Sequence, residues 1–300
     1  MESATLYEQR NRKSLWAARL DETRRFWHRF RRHPLGMIGL LIITALILSA
    51  LFARPLSTHA PFEQSLVDRL QPPGKTFWLG SDELGRDIYS RIMHGTRLTL
   101  LIVAIVIVAS APLGLLLGTI SGFYGGWTDK ILMRITDVFL AIPKLMMALA
   151  FVAALGPGII NVAISIALTA WPPYARLARA ETLMVRNSDY INAIRMAGAS
   201  SFRIVFFHVV PMCLSSVIVR MSFDMSQTIL IAAGLGFIGL GPQPPSPEWG
   251  AMVAAGRRFI LSQYWVSTMP GIAIFVVSLG FNFMGDALRD LLDPHQKGAS

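Results

Sequence analysis

Charged residues are scarce in this chain, and the shortage excludes an ordinary soluble domain. Only 15% of the 300 residues are Asp, Glu, Lys or Arg, whereas 53% are apolar. A soluble domain of this size carries about 25% charged residues. The composition therefore predicts an all-α, polytopic membrane protein, since helices satisfy their own backbone groups inside a bilayer.

Cysteines and the common catalytic motifs are also nearly absent. Cys213 is the single cysteine, so no internal disulfide can form. The chain contains no G-x-S-x-G, no HExxH, no Walker A loop and no His-Cys cluster. We therefore expect no enzyme, no cofactor-binding residues and no metal site. A pump with this sequence would draw its energy from a partner or from an ion gradient.

The formal net charge of +10 raises the question of nucleic-acid binding. The cations cluster beside apolar stretches, which is typical of topology signals in membrane proteins. We therefore expect no nucleic-acid partner. Residues 1–34 are predicted to be a cytoplasmic segment, with an amphipathic helix from Asp21 to Arg32 on the membrane surface. Five arginines precede the first apolar stretch: Arg24, Arg25, Arg29, Arg31 and Arg32.

Six apolar stretches predict about six transmembrane helices with both termini cytoplasmic. They cover residues 35–52, 98–122, 131–155, 159–171, 212–241 and 266–284. The fourth is predicted to close at Pro172-Pro173. The resulting divisions are a first transmembrane helix 35–52, a periplasmic segment 53–95, a core 96–285 of five transmembrane helices, and a cytoplasmic tail 286–300. A cytoplasmic loop, 174–211, lies within the core.

That cytoplasmic loop predicts two short helices at a sharp angle. Ser188 or Asp189 can cap the first helix. Gly198 breaks it, because glycine tolerates a left-handed turn. Ser201 then caps a second helix, which Pro211 ends. Two such helices would form a knob that another protein could contact.

Three ionisable residues inside predicted spans are candidates for a translocation path: Asp137, Lys144 and Asp224. Such groups usually face the interior of a helix bundle or an aqueous path. A structural pair or an interfacial position is the alternative for Asp137 and Lys144. Arg220 stands one helical turn from Asp224, so this pair can form within one helix.

The second apolar stretch carries Gly114, Gly118 and Gly122, which recur every fourth residue. This spacing predicts a flat face that another helix can approach closely. In the outer segment before it, Ser81 is predicted to cap a helix. The acids near Ser81 lack the EF-hand spacing, so they do not indicate a calcium site.

The knob resembles the coupling loop of ABC-transporter permeases, in which Glu-Ala-Ala is followed by Gly and by a hydrophobic run ending in Pro. Here Asn192 stands at the glutamate position. The resemblance implies contact with an ATPase. The positions that carry this role would be Asn192, Ala193, Gly198, Ala199 and Pro211.

Three further stretches resemble the permeases that import peptides or nickel. Residues 79–91 fit the pattern LG-x-D-x-x-GRD-x-x-SR, and residues 243–250 fit Q-P-P-x-P-E-W-G. Residues 285–294 resemble the ending of the same subgroup. Over about residues 20–294, the chain is identified as a member of the dipeptide, oligopeptide and nickel importer permeases, as a C-type subunit.

This resemblance implies a type I ABC importer permease fold in the bacterial inner membrane. The partners would be a second permease subunit, two ATPase subunits that hold ATP and Mg, a periplasmic solute-binding protein and membrane lipid. The expected function is import of di- or oligopeptides by alternating access. A nickel or nickel-chelate importer, an ATP-independent channel and a structural scaffold remain the alternatives.

Overall fold

A computed structural model describes residues 24–292. Within this range the regular structure is helical, apart from one isolated bridge between Ser81 and Asp87. The longer helices are α1 (Pro34–Leu51), α2 (Ile88–Tyr124), α3 (Gly126–Ala141), α4 (Lys144–Leu155), α5 (Ile159–Val185), α6 (Asp189–Met196), α7 (Ser201–Phe237), α8 (Trp249–Gly256) and α9 (Trp265–Leu292). Residues 24–30 are also helical, whereas residues 1–23 of the predicted N-terminal segment and residues 293–300 of the predicted tail lie outside the described residues.

Four of these helices, α1, α2, α7 and α9, are long and apolar enough to cross a membrane. The pair α3 and α4 gives a fifth span if the two helices count as one broken segment. Helix α5 is not among them, because only its first half is strongly apolar. The helical membrane class is thus confirmed, whereas six spans and two cytoplasmic termini stay predictions.

Helices α2 and α5 form the most extensive contact in the described part of the chain. A Cβ atom placed on Gly114 would lie 2.5 Å from the carbonyl oxygen of Trp171. One placed on Gly118 would overlap the carbonyl of Ala175, and one on Gly122 would also be crowded. The close approach predicted from the glycine spacing is confirmed, because the two backbones touch directly.

The two prolines at the predicted end of the fourth span do not end the helix. Both prolines lie inside α5, which continues to Val185. Each proline removes one backbone hydrogen bond, but packing against neighbouring helices keeps such helices intact in membranes. The first part of the predicted loop 174–211 is therefore helical, because residues 174–185 form the second half of α5.

The predicted third span is not one straight helix. Helices α3 and α4 meet at an angle of 91°. Ile142, which precedes Pro143, has φ −101° and ψ 133°, an extended conformation. A proline disfavours the helical conformation of the residue before it, so the helix must end there. Asp137 and Lys144 consequently lie on different helices.

The start of α2 also differs from prediction. The helix begins at Ile88, ten residues before the predicted span, and Asp87 is its N-cap. The Asp87 carboxylate accepts hydrogen bonds from the backbone N–H and the hydroxyl of Ser90, at 3.0 and 2.6 Å. Ser81 does not cap this helix. Its backbone instead forms the isolated bridge with Asp87.

Three clusters of buried side chains hold the bundle together. The outer cluster joins α1, α2, α7, α8 and α9 around Trp249 and Phe281. The middle cluster joins α2, α4, α5 and α7 around Ile166. The inner cluster joins α2, α5, α6 and α7 around Tyr174 and Cys213. The last cluster connects the bundle directly to the two helices of the predicted knob.

His33 fixes the beginning of α1 against the end of α9. Its Nδ1 accepts a hydrogen bond from the backbone N–H of Gly36 at 3.1 Å, which caps α1. Its Nε2 lies 3.0 Å from Oδ2 of Asp290. Because Nδ1 accepts, the neutral ring carries its proton on Nε2 and donates it to the carboxylate.

We predict that Gly118→Ala weakens the bundle, because a methyl group there overlaps the backbone of α5. Overpacking of this kind costs about 1–3 kcal/mol. Gly271→Ala is the matched control, since Gly271 is helical and nothing lies within 4 Å of an added Cβ. That change should be neutral or stabilising by up to about 1 kcal/mol. Thermal unfolding of the purified complexes measures both, and equal midpoints would contradict the close contact.

Candidate functional site

The first half of the knob is α6. It begins at the predicted cap, Ser188, and ends at the predicted break, Gly198. The Ser188 hydroxyl accepts a hydrogen bond from the N–H of Ile191 at 3.4 Å. Gly198 has φ +84°, which confirms the predicted break. Beyond it, the N–H of Ala199 donates to the carbonyl of Ile194 at 3.3 Å. This closing bond is typical of a helix that ends on a left-handed glycine.

The second half of the knob differs from prediction. Ser200, not Ser201, is the N-cap, and its hydroxyl accepts from the N–H of Arg203 at 3.3 Å. The predicted end at Pro211 is also wrong, because the helix continues into the membrane as α7. The knob and a membrane-spanning segment are therefore parts of one helix.

A π-helical turn, Val205–Val209, makes this continuity possible. In an α-helix the ring of Pro211 would collide with the carbonyl four residues before it, and no N–H would bond that carbonyl. The wider π-helical turn relieves the clash of the proline ring and the loss of the hydrogen bond. Within this turn the N–H of Val210 bonds the carbonyl of Val205.

The knob buries one side and exposes another. Ile191 and Ile204 are fully buried in the inner cluster, so both short helices are fixed to the bundle. Met196 is 89% exposed, Phe202 62% and Phe207 69%. Large apolar side chains grouped on a polar loop are typical of a protein contact surface.

The predicted coupling residues lie on or next to that exposed surface. Ala193, Gly198 and Pro211 are exposed, while Asn192 and Ala199 are half-buried. The Asn192 amide is held locally. Its nitrogen donates to a backbone carbonyl at 3.3 Å, and its oxygen accepts from Arg195 at 3.4 Å.

The structure brings two of the three predicted path residues together. Nζ of Lys144 donates to Oε1 of Gln227 at 3.4 Å. Gln227 and Asp224 are three residues apart on α7 and share a face, so Lys144 lies beside Asp224. Asp224 is buried, and the predicted pairing with Arg220 is confirmed at 3.1 Å. The ammonium group of Lys144 and the ion pair of Arg220 with Asp224 therefore lie along one side of α7.

Asp137, the third predicted path residue, does not join Lys144 and Asp224. Its Oδ1 lies 2.7 Å from a guanidinium nitrogen of Arg176, and both side chains are more than half exposed. This pair ties α3 to the second half of α5. The structure therefore does not join Asp137 to Lys144, because the bend at Pro143 separates them.

Two of the four buried hydroxyls that lack a hydrogen-bond partner in the described part of the chain lie on α5 and α7 near the predicted path and had no sequence signal. Those of Tyr174 and Thr228 have no hydrogen-bond partner among residues 24–292. Thr228 follows Gln227 on α7, and Tyr174 lies in α5 within the inner cluster. A lone tyrosine or threonine in an apolar run gives no distinctive signal in a sequence.

On the outer face, the two motifs that resemble peptide permeases interlock. A guanidinium nitrogen of Arg91 donates to the carbonyl of Pro245 at 3.3 Å. The indole nitrogen of Trp249 donates to the carbonyl of Ile92 at 3.1 Å. Arg91 of the first motif thus bonds the backbone of the second, and Trp249 of the second motif bonds the residue directly after the first, so the beginning of α2 is fixed to the loop before α8.

Glu248 caps α8 at the end of that loop. Its carboxylate accepts from the N–H groups of Gly250 and Ala251, at 2.8 and 2.7 Å. The carboxylate is buried against Gly236 near the end of α7. Burial raises the pKa of Glu248 to about 7, although the two backbone hydrogen bonds act in the opposite direction.

A bundle of apolar helices, with an exposed knob continuous with one of them, defines the class as a membrane-embedded helical protein. The family of binding-protein-dependent transport system inner membrane components matches residues 114–298. The N-terminal TM domain of oligopeptide transport permease C matches residues 22–73. The chain belongs to this family of inner-membrane transport components.

Curated relatives match along most of their length. The chain is 44% identical over 265 residues to the probable D,D-dipeptide transport system permease protein DdpC of Escherichia coli, covering 88% of this chain and 89% of that one. It is 44% identical to the di/tripeptide transport system permease protein DppC of Pseudomonas aeruginosa, covering 92% and 93%. The glutathione transport system permease protein GsiD of Pectobacterium atrosepticum is 41% identical, with 91% of each chain covered.

A solved structure shares the fold. A chain of the MetNI methionine ABC transporter in an inward-facing conformation aligns with a TM-score of 0.52 and 19% identity. The alignment covers 67% of this chain and 96% of that one. The predicted type I ABC importer permease fold is thereby confirmed.

The raised pKa of Glu248 predicts a pH-dependent stability. The folded protein holds this proton up to about pH 7, whereas the unfolded chain releases it near the ordinary value of 4.5. The free energy of unfolding should therefore fall as pH rises through this window, by roughly 3 kcal/mol.

Glu248→Gln should remove this pH dependence. The free energy of unfolding is measured for the variant and the wild type from about pH 4.5 to pH 7, and the difference between the two is followed across that range. Glu63→Gln changes an exposed carboxyl away from α8 and should keep the wild-type profile. Parallel profiles for wild type and Glu248→Gln would show that the carboxyl does not titrate there.

Proposed function

We propose that this chain is the permease subunit of an ATP-driven importer that moves di- or oligopeptides across the bacterial inner membrane. The observation that carries the peptide assignment is the similarity, over about nine-tenths of both chains, to permeases named for dipeptide or di/tripeptide transport. The exposed knob offers a surface on which an ATPase subunit can dock, which supports an energy source outside this chain.

The proposed complex contains a second permease subunit, two ATPase subunits and a periplasmic solute-binding protein. ATP and Mg bind the ATPase subunits, and this chain takes no part in hydrolysis. The fold supports the arrangement, since it is shared with an ABC transporter chain.

In this proposal the ATPase subunits contact the knob at Asn192, Ala193, Gly198 and Ala199, beside the exposed apolar side chains. Closure of the ATPases on ATP displaces the knob. Because the knob continues through the π-helical turn at Pro211 into α7, its displacement moves a membrane-spanning helix. A binding event that favours one of two arrangements is what makes such coupling possible.

The path for the solute is proposed to follow the face of α7 that carries Asp224 and Gln227, with Lys144 opposite. A peptide is a zwitterion, and this face offers both an ammonium group and a carboxylate. The buried hydroxyls of Tyr174 and Thr228 could extend it with neutral donors. Asp137, paired with Arg176, is proposed to line the inner end.

Gly198→Glu is predicted to preserve insertion and assembly but to uncouple peptide uptake from ATP hydrolysis. The change adds charge and bulk to the proposed docking surface, where the backbone has φ +84° and nothing crowds the site. Gly156→Glu is the matched control, since Gly156 has φ +88° and equally open surroundings on the outer turn after α4. The two variants therefore share the same backbone strain.

Uptake of labelled dipeptide and ATP turnover are measured together in cells and in purified complexes. We expect uptake to fall at least tenfold for Gly198→Glu and to stay near wild type for Gly156→Glu. Normal uptake in Gly198→Glu would rule out the docking surface. Labelled nickel is tested in parallel, and loss of nickel uptake alone on deletion of the chain would move the function to the nickel alternative.

A further inference from the structure

Lys144 stands at a position where the local chemistry disfavours a cation. It is the first residue of α4, directly after the bend at Pro143. The unbonded N–H groups at the beginning of a helix carry partial positive charge, which repels an ammonium group. No side chain among residues 24–292 caps this end of α4. A lysine that breaks a local rule in this way is a candidate for a specific role.

The ammonium group of Lys144 has only a weak partner in the described part of the chain. Its Nζ donates to Oε1 of Gln227 at 3.4 Å, and that amide is neutral. None of the carboxylates of residues 24–292 comes within 4 Å of this nitrogen. Ionisable groups inside a span usually pair with an opposite charge or line a solute path. Lys144 fits the second case.

Asp224 lies on the same face of α7 as Gln227 but is already paired. Nε of Arg220 donates to Oδ2 at 3.2 Å, and a terminal nitrogen donates to Oδ1 at 3.1 Å. Both carboxylate oxygens are thus bonded to one guanidinium group, and the Asp224 side chain is only 3% exposed. The pair is neutral as a whole. It leaves the charge of Lys144 uncompensated and offers no free carboxylate to the amino group of a solute.

The other acids of α3, α5 and α7 are held elsewhere. Asp129 and Asp137 form ion pairs with α5. Glu181 bonds Ser216, which precedes Gln227 by 11 residues, or about 16 Å along α7. The face formed by the beginning of α4 and the middle of α7 therefore carries one uncompensated positive charge.

We propose that Lys144 and Gln227 bind the C-terminal carboxylate of the transported peptide, so that the path selects peptides with a free carboxylate. This inference rests on the proposed function as a peptide importer. Nζ of Lys144 supplies the charge. Nε2 of Gln227 supplies a second donor, because the amide must turn its oxygen towards the ammonium group and thereby leaves its nitrogen for another acceptor.

A carboxylate is a better partner for Lys144 than the neutral amide, because a hydrogen bond between two charged groups is shorter and stronger. The amino end of the peptide has no equivalent partner on this face, since Asp224 is bonded to Arg220. The path is therefore selective for the carboxylate end of the peptide and indifferent to its amino end.

The test compares labelled alanyl-alanine with alanyl-alanine amide, which lacks the carboxylate. ATP-driven uptake of each is measured in vesicles that contain the complete complex, at concentrations that saturate the solute-binding protein. Lys144→Gln should lower uptake of the free acid about tenfold, as for the loss of one charge-assisted hydrogen bond, and should change uptake of the amide less than about twofold. Lys144→Arg keeps the charge and should retain most of the uptake of the free acid.

Lys130→Gln is the matched control. Lys130 is an exposed lysine of α3, and its ammonium group lies over the ring of Trp127 at 5.2 Å. This variant removes the same charge away from the proposed path. It should keep the wild-type uptake of both compounds.

Gln227→Glu gives a second test, which does not depend on delivery of the amide by the solute-binding protein. The new carboxylate bonds Lys144 and competes with the peptide, so uptake of the free acid should fall about tenfold. The thermal midpoint of the complex should stay equal or rise, because a neutral partner is replaced by a charged one. A purely structural Lys144 would leave uptake at the wild-type level.

Equal fold losses for acid and amide in Lys144→Gln would overturn the proposal and show that the ammonium group supports the structure or pairs with a carboxylate of another subunit. Wild-type uptake in Gln227→Glu would also overturn it. Failure of the proposed function gives a different result, namely no ATP-driven uptake of alanyl-alanine by the wild-type complex.

Discussion

Direct contact between the backbones of α2 and α5 is the constraint on which the rest of the structure depends. Gly118 has no room for a side chain against Ala175, so the two long helices are held at a fixed separation and register. The outer end of α2 carries the interlocked motifs, and the inner half of α5 carries the buried surface around Tyr174. The interlocked motifs and the knob are therefore both attached to the pair of helices α2 and α5.

In the proposed mechanism, α7 is the helix that transmits the displacement of the knob. It begins in the knob, passes the proline through a π-helical turn, carries Asp224 and Gln227, and ends beside the buried carboxylate of Glu248. One continuous helix therefore links the knob, the charged face and the loop before α8. A displacement of the knob is therefore transmitted along α7 to the end beside Glu248 without a separate hinge. This transmission is the physical basis of the proposed coupling.

The sequence predicted those features that depend on short-range chemistry. The glycine spacing in α2, the break at Gly198, the cap at Ser188 and the Arg220 pair with Asp224 all follow from local rules, and all were confirmed. The errors arose where tertiary packing outweighs local preference. Pro172 and Pro211 both lie in continuous helices, because neighbouring helices and a wider turn absorb their cost. The buried hydroxyls gave no sequence signal, since their surroundings come from segments distant along the chain.

In the proposed mechanism, transport through this chain is driven by nucleotide. This dependence on nucleotide is tested most directly by uptake of labelled dipeptide into vesicles that contain the complete complex, with ATP enclosed on the side of the knob. The account predicts uptake that needs ATP together with the solute-binding protein, and that stops when ATP hydrolysis is blocked. Equal uptake without nucleotide would contradict the account and favour an ATP-independent channel.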